Sequence, residues 1–151
     1  MTGLRLAIIA LLILLMVWRT EASEHYFGGV WNNFDFSRST EYWLDLTRKW
    51  GGEQGVFDLV VAQANSDGFV YVPFPISDHN FIRADSAVDN AEPYLNAFDA
   101  NDLKVILSIQ PLRANITQLI ELLLSRYSHH SSIIGVNIDL EWKESGVPYH
   151  V

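Results

Sequence analysis

The sequence predicts an α/β protein, which we interpret as the N-terminal half of a (β/α)8 TIM barrel. Apolar runs of strand length alternate with segments whose apolar residues recur at helical spacing, in the order βαβαβαβ. Strands of this apolar kind are typical of parallel sheets covered by helices. A small doubly wound parallel sheet has the same order and is the alternative. We favour the half barrel because the chain extends only about nine residues past its last predicted strand, whereas a full barrel takes about 250 residues.

The first half of the chain carries three predicted strands and one helix. In order, these are a strand over residues 25–32, a helix over 39–50, a strand over 57–63, and a short strand over 69–74 within the otherwise irregular stretch 64–88. Ser37 and Ser39 are both candidates for the N-cap of the helix, and the pair Gly51-Gly52 ends it. Pro73 and Pro75 close the short strand.

The second half of the chain continues the alternation. Its predicted elements are a helix that opens at Asp89 or Asn90 and ends near Asn101, a strand over 104–109, a helix that ends near residue 128, and a strand over 133–142. Pro93 is compatible only with the first turn of its helix. Asn115 with Gln118 resembles a capping box for the next helix. The pair His129-His130 ends that helix, where a cationic side chain is favourable.

Composition narrows the possible functions. The chain has 151 residues, a length for one domain, and no Cys, which removes disulfides, thiolate zinc sites and a thiol nucleophile. Ten Lys and Arg against 18 Asp and Glu give a net charge of −8 without a basic cluster, so no nucleic acid is expected as a partner. Neither a metal-binding His spacing nor a phosphate-cradling Gly motif occurs, so we expect no metal and no cofactor.

The N-terminal sequence predicts an export segment. Arg5 precedes an unbroken apolar run of 13 residues, which suits a signal-peptide core of about 7–15 residues better than a membrane span of about 20. We expect a signal peptide or N-terminal membrane anchor over residues 1–22 and a partial barrel domain over 23–151. The protein would then be secreted or anchored with its domain outside the cytoplasm, and would contact the membrane only through this segment.

The last predicted strand has one apolar and one polar row, because side chains alternate between the two faces of a strand. The apolar row, which we expect to pack on helices, is Ile134, Val136, Ile138 and Leu140, and the other row is Gly135, Asn137, Asp139 and Glu141. Burying two carboxylates and an amide is costly unless they line a wet cavity. In a barrel this face points into the lumen, and its C-terminal end opens into the active site.

The residues from Gly135 to Glu141 resemble the D-x-x-D-x-D-x-E signature on the fourth strand of family 18 glycoside hydrolases, the chitinase-like (β/α)8 barrels. The resemblance implies that Glu141 is the general acid that protonates the glycosidic oxygen. It also implies that Asp139 orients Glu141 and the acetamido group of the substrate.

The resemblance is partial. Asn137 and Ile134 stand where the family has Asp, and only Ser108 remains of the family's third-strand S-x-G-G. The pair Asp139 and Glu141 is equally similar to the Asp-x-Glu of family 25 lysozymes, which are also barrels.

Five further residues are candidates for substrate binding: Asn137, Gln110, Gln63, Trp31 and Trp142. Gln63 and Gln110 end their strands, where barrel ligand groups lie. Asn137 belongs to the polar row and also fits a hydrogen bond within the lumen. The two Trp side chains could stack on a sugar ring, although burial in a core is the commoner role of Trp.

These observations predict a glycoside hydrolase-like protein that acts on an extracellular or cell-surface polysaccharide. Glu141 would be the general acid and Asp139 would assist it. We expect a half barrel alone to fold poorly, because its last strand leaves an unpaired apolar edge, and to be inactive. The alternatives are a non-catalytic carbohydrate-binding barrel and a small membrane-anchored α/β domain.

Overall fold

A mostly parallel sheet organises the protein in the computed structural model, which describes residues 28–77 and 79–140. The six strands are β1 (Gly29–Trp31), β2 (Val56–Ala64), β3 (Val70–Val72), β4 (Ile82–Ala84), β5 (Lys104–Ile109) and β6 (Ile133–Ile138). The three helices described are α1 (Thr40–Gly51), α2 (Glu92–Ala100) and α3 (Ile116–Tyr127). The predicted mixed α/β class is therefore confirmed.

The parallel strands lie side by side in chain order. β1 pairs with β2, β2 with β5, and β5 with β6, each in parallel. β3 pairs antiparallel with the C-terminal end of β2, and β4 lies parallel to β3. A doubly wound sheet reverses its strand order at a switch point. The order β1-β2-β5-β6 shows no such reversal in the part of the chain that is described.

One face of this sheet carries the hydrophobic core. The sheet residues in it with no exposed surface include Phe57, Leu59, Val61, Val105, Leu107 and Ile109. Each helix contributes buried apolar residues to the same cluster, including Leu44 from α1, Leu95 from α2 and Leu119 from α3. The ring of Phe57 lies between Trp43 and Phe98, with centroid distances of 5.4 and 4.7 Å. All three helices thus pack on the face to which Phe57 points.

The helix starts agree with the predicted caps. Ser39 accepts a hydrogen bond from the backbone of Tyr42, and Asn115 accepts one from the backbone of Gln118. Helix α2 begins at Glu92, just after the predicted start, and the Asp89 carboxylate accepts a bond from the Glu92 N–H. These side chains satisfy amide groups that a helix leaves without partners in its first turn.

The last strand is shorter than predicted, because β6 ends at Ile138 rather than at residue 142. The backbone N–H of Asp139 still donates to the carbonyl of Ile109. Pro111, two residues after Ile109, has no N–H, so it cannot donate the next hydrogen bond of the ladder. β4 was not expected, because three residues are too few to produce a periodic pattern.

The apolar row of β6 is only partly covered. Val136 packs against the core, whereas Ile134, Ile138 and Leu140 are 42%, 41% and 49% exposed. The expectation that the whole row packs on helices is therefore wrong for the described residues. The physical reason is position: β6 is the last strand of the sheet described, with no described strand beyond it.

The predicted export segment over residues 1–22 lies outside the described residues. Among the helices that are described, none combines the length and apolarity needed to cross a bilayer.

Phe57→Ala should strongly destabilise the fold. The side chain has no exposed surface and contacts rings from α1 and α2, so its loss should lower the free energy of unfolding by about 3–5 kcal/mol. Trp50→Ala is the control, because Trp50 is 69% exposed and its loss should change that free energy by only about 0.5 kcal/mol. Urea denaturation of both variants tests this, and equal effects would contradict the packing described.

Candidate functional site

The face of the sheet opposite the core carries polar side chains on adjacent strands. Strand pairing places Trp31 of β1 beside Asp58 of β2, and Ser108 of β5 beside Asn137 of β6. Because side chains alternate along a strand, Asp58 points away from the helices while its neighbour Phe57 points toward them. The polar groups of the central strands are thereby gathered on one surface.

A cleft of about 450 Å³ lies on this surface. Its lining residues are Trp31, Asp58, Ser108, Asn137, Ile138, Asp139 and Leu140. They come from the four strands β1, β2, β5 and β6 and from the residues just after β6, and no residue of a described helix is among them. This volume lies within the range of about 300–1,000 Å³ that small-molecule sites occupy.

Asp58 places a half-buried carboxyl group in the cleft. Its Oδ1 atom is buried and has no hydrogen-bond partner among the described residues. Burial raises the pKa of the Asp58 carboxyl, hydrogen bonding from Ser108 and Asn137 opposes the rise in part, and the Asp139 carboxylate adds to it. Asp58 therefore keeps its proton to a higher pH than a surface Asp, and its protonated form is a hydrogen-bond donor.

Ser108 and Asn137 form a pair next to Asp58. The Asn137 Nδ2 atom donates to the Ser108 hydroxyl oxygen at 2.9 Å. Ser108 is buried, whereas Asn137 is exposed at the cleft. The pair gives the cleft two neutral polar groups whose orientation is set by their mutual bond.

Gln110 holds Asp139 in place. Its side chain is buried, donates from Nε2 to Asp139 Oδ2 at 3.1 Å, and accepts at Oε1 from the backbone of Ala64 at 3.2 Å. One amide group therefore connects the chain at the C-terminal ends of β2, β5 and β6. The Asp139 carboxylate is thereby fixed at the rim of the cleft.

The structure brings several of the predicted site residues together. Trp31, Asn137 and Asp139 line the cleft, and Gln110 supports it from behind. Gln63 pairs with Tyr71 of β3 and is not among the lining residues. The predicted general acid Glu141 and the predicted stacking residue Trp142 lie outside the described residues.

Sequence reasoning did not single out Asp58, although a signal for it exists. Asp58 is the only charged residue in the apolar strand Val56–Ala64. Its side chain also points to the opposite face of the strand from those of Phe57 and Leu59, so a carboxyl group on the face opposite the core follows from strand alternation alone.

Comparison with known proteins gives no relative: no family model, no curated protein and no solved structure matches the chain.

Asp58→Asn should remove a pH-dependent loss of stability. In the folded state the pKa of Asp58 lies above its unfolded value of about 3.9, so the fold favours the protonated form. Ionisation of Asp58 therefore destabilises the wild type progressively as the pH rises through this interval. We expect the free energy of unfolding of Asp58→Asn to increase relative to that of the wild type between pH 4 and neutrality, which means that the variant becomes relatively more stable. The size of the increase is set by the pKa of Asp58 in the folded state.

Urea denaturation at a series of pH values measures this difference. Asp45→Asn is the matched control, because Asp45 is exposed on α1 and lies away from the cleft. A difference for Asp58→Asn that is the same at every pH would refute the raised pKa.

Proposed function

We propose that this chain is the front half of a (β/α)8 barrel with a glycoside hydrolase-like site at the C-terminal ends of its strands. The observation that carries the proposal is the cleft, in which polar groups of adjacent parallel strands meet on the face opposite the helices. In barrels of this kind, the inner face and the C-terminal strand ends form the active site.

Strand order supports the barrel over the doubly wound alternative. Four parallel strands follow one another in chain order, and the three described helices pack on one face. A doubly wound sheet instead carries helices on both faces and reverses its order. The partly exposed apolar row of β6 is also consistent with further strands and helices that would cover it.

A carbohydrate fits the chemistry of the cleft. Trp31 is half exposed and offers an aromatic face against which a sugar ring can stack. Asn137, Asp58 and Asp139 offer amide and carboxyl groups for hydroxyl groups of the ligand. A net charge of −8 favours an uncharged or cationic polysaccharide over an anionic one.

In the proposed reaction, Glu141 is the general acid. Its carboxyl group would protonate the glycosidic oxygen as the bond to the leaving sugar breaks. Asp139, fixed by Gln110 at the cleft, would orient Glu141 and the substrate. If the substrate carries an N-acetyl group, its carbonyl oxygen would act as the nucleophile, which is a known exception to the two-carboxylate scheme. The protonated form of Asp58 would donate a hydrogen bond from the floor of the cleft.

A non-catalytic carbohydrate-binding protein is the second candidate. The neutral Ser108–Asn137 pair favours it, because Asn137 stands where the resembled glycosidases have an Asp. Binding without cleavage would then be the whole function of the cleft.

Trp31→Ala should weaken carbohydrate binding, because it removes the stacking surface of the cleft. We expect soluble oligosaccharides to bind the wild-type chain and to bind Trp31→Ala at least about tenfold more weakly, which corresponds to about 1.4 kcal/mol. Calorimetric titration against a panel of oligosaccharides measures both. Trp50→Ala removes another exposed Trp outside the cleft and should bind as the wild type does. Absence of binding by the wild type, or equal losses in both variants, would refute the carbohydrate site.

Glu141→Gln should separate hydrolysis from binding. In the complete protein that carries this chain, we expect the variant to bind the polysaccharide normally and to release reducing ends about 10²–10⁴-fold more slowly. Glu53→Gln, which changes an exposed Glu away from the cleft, is the matched control and should be fully active. Full activity of Glu141→Gln would exclude it as the general acid. A wild type that binds but does not cleave would establish the non-catalytic candidate instead.

A further inference from the structure

A second cluster of ligand-type side chains lies on the helical side of the protein, away from the cleft. Glu92, in the first turn of α2, approaches His129 and His130, which follow α3 in the chain. One ligand atom from each of the three residues lies within 4.8 Å of the other two. The pair of His residues was expected only to complement the end of a helix, and their proximity to Glu92 arises from the packing of α2 beside the end of α3.

The imidazole of His130 is the unusual member of this cluster. Its side chain is only 1% exposed, yet its Nε2 atom makes no hydrogen bond within the described part of the chain. That atom points toward Glu92, with Oε2 at 3.4 Å, but without the alignment of a hydrogen bond. A buried nitrogen without a hydrogen-bond partner is energetically costly, and a bound ligand would remove that cost.

The other nitrogen of His130 has a strong partner. Nδ1 lies 2.7 Å from Asp99 Oδ2, and the second oxygen of Asp99 accepts from the Ser132 backbone at 2.7 Å. A carboxylate this close to Nδ1 accepts a hydrogen bond from it and so places the proton of His130 on Nδ1. The lone pair of Nε2 then faces Glu92. A carboxylate bound to the other ring nitrogen, as Asp99 is here, is the arrangement that orients His ligands in metal centres.

We propose that Glu92, His129 and His130 bind a divalent transition-metal ion such as Zn²⁺, with Asp99 as the positioning residue of His130. Two imidazoles and a carboxylate form a donor set that Zn²⁺ uses, whereas Mg²⁺ and Ca²⁺ prefer oxygen ligands alone. The site would join the start of α2 to the chain after α3.

The distances suit this ion. Tetrahedral zinc with bonds of about 2.0–2.1 Å holds its ligand atoms roughly 3.3 Å apart. Glu92 oxygens lie 3.4 Å from His130 Nε2 and 3.7 Å from His129 Nε2. The His129 side chain is 62% exposed, so it can turn toward the ion without disturbing the core. Its exposure also leaves room for a fourth ligand from solvent.

Titration of the purified full chain with Zn²⁺ tests the site, followed by calorimetry and by metal analysis after dialysis. We expect one ion per chain, a higher unfolding temperature in the presence of Zn²⁺, and, for bound Co²⁺, the intense visible absorption of a tetrahedral centre. Asp99→Asn should weaken binding by about 10–100-fold, as loss of an outer partner does, and Glu92→Gln or His129→Ala should weaken it at least as much.

His79→Ala is the matched control, because it removes an exposed His that lies beside β4 and outside the cluster. Its affinity for Zn²⁺ should equal that of the wild type. Glu92→Gln keeps the shape of the side chain and His129 is exposed, so circular dichroism should show both variants folded. Failure of the wild type to bind one Zn²⁺, or unchanged affinity in Glu92→Gln and His129→Ala, would overturn the proposal and leave the cluster as an ion-pair network.

Discussion

The alternation of side chains along the central strands β2 and β5 is the constraint on which the rest of the structure depends. It directs Phe57, Leu59 and Leu107 toward the helices, where burial of apolar surface stabilises the fold. The same alternation obliges Asp58 and Ser108 to point the other way. A carboxyl group in the middle of a strand is thus held in place by the core on its reverse side, and the stability of the fold offsets the cost of its burial.

Rigid support of this kind is what a ligand site requires. The cleft residues project from paired strands, and Gln110 connects the chain at the ends of three of them through Ala64 and Asp139. Side chains held by strands and by outer hydrogen bonds keep their geometry without a ligand, so little ordering entropy is lost on binding. The metal site proposed on the helical side would have the same design, because Asp99 already lies 2.7 Å from Nδ1 of His130 and holds its ring.

Local signals in the sequence were sufficient for most of the fold. The strand over 104–109 and the cap Asn115 were predicted at the residues where the structure has them, and Ser39 was one of two predicted candidates for its cap. Asp139 was placed on the polar face from its parity within the last strand. Asp58 was passed over although its parity in the strand Val56–Ala64 is a local signal, and β4 was not expected because three residues are too few for a periodic pattern. The meeting of Glu92 with His129 and His130 depends on the packing of two helices, and no spacing along the chain encodes it.

If the face opposite the helices binds a ligand, the residues of the cleft should respond to it in solution. Nuclear magnetic resonance of the isotopically labelled chain, titrated with soluble chito- and cello-oligosaccharides, measures this response. We expect the shift changes to concentrate on the Trp31 indole and on the backbone amides of Asp58, Ser108 and Asn137. Shift changes confined to residues of the helices, or none at millimolar oligosaccharide, would contradict it.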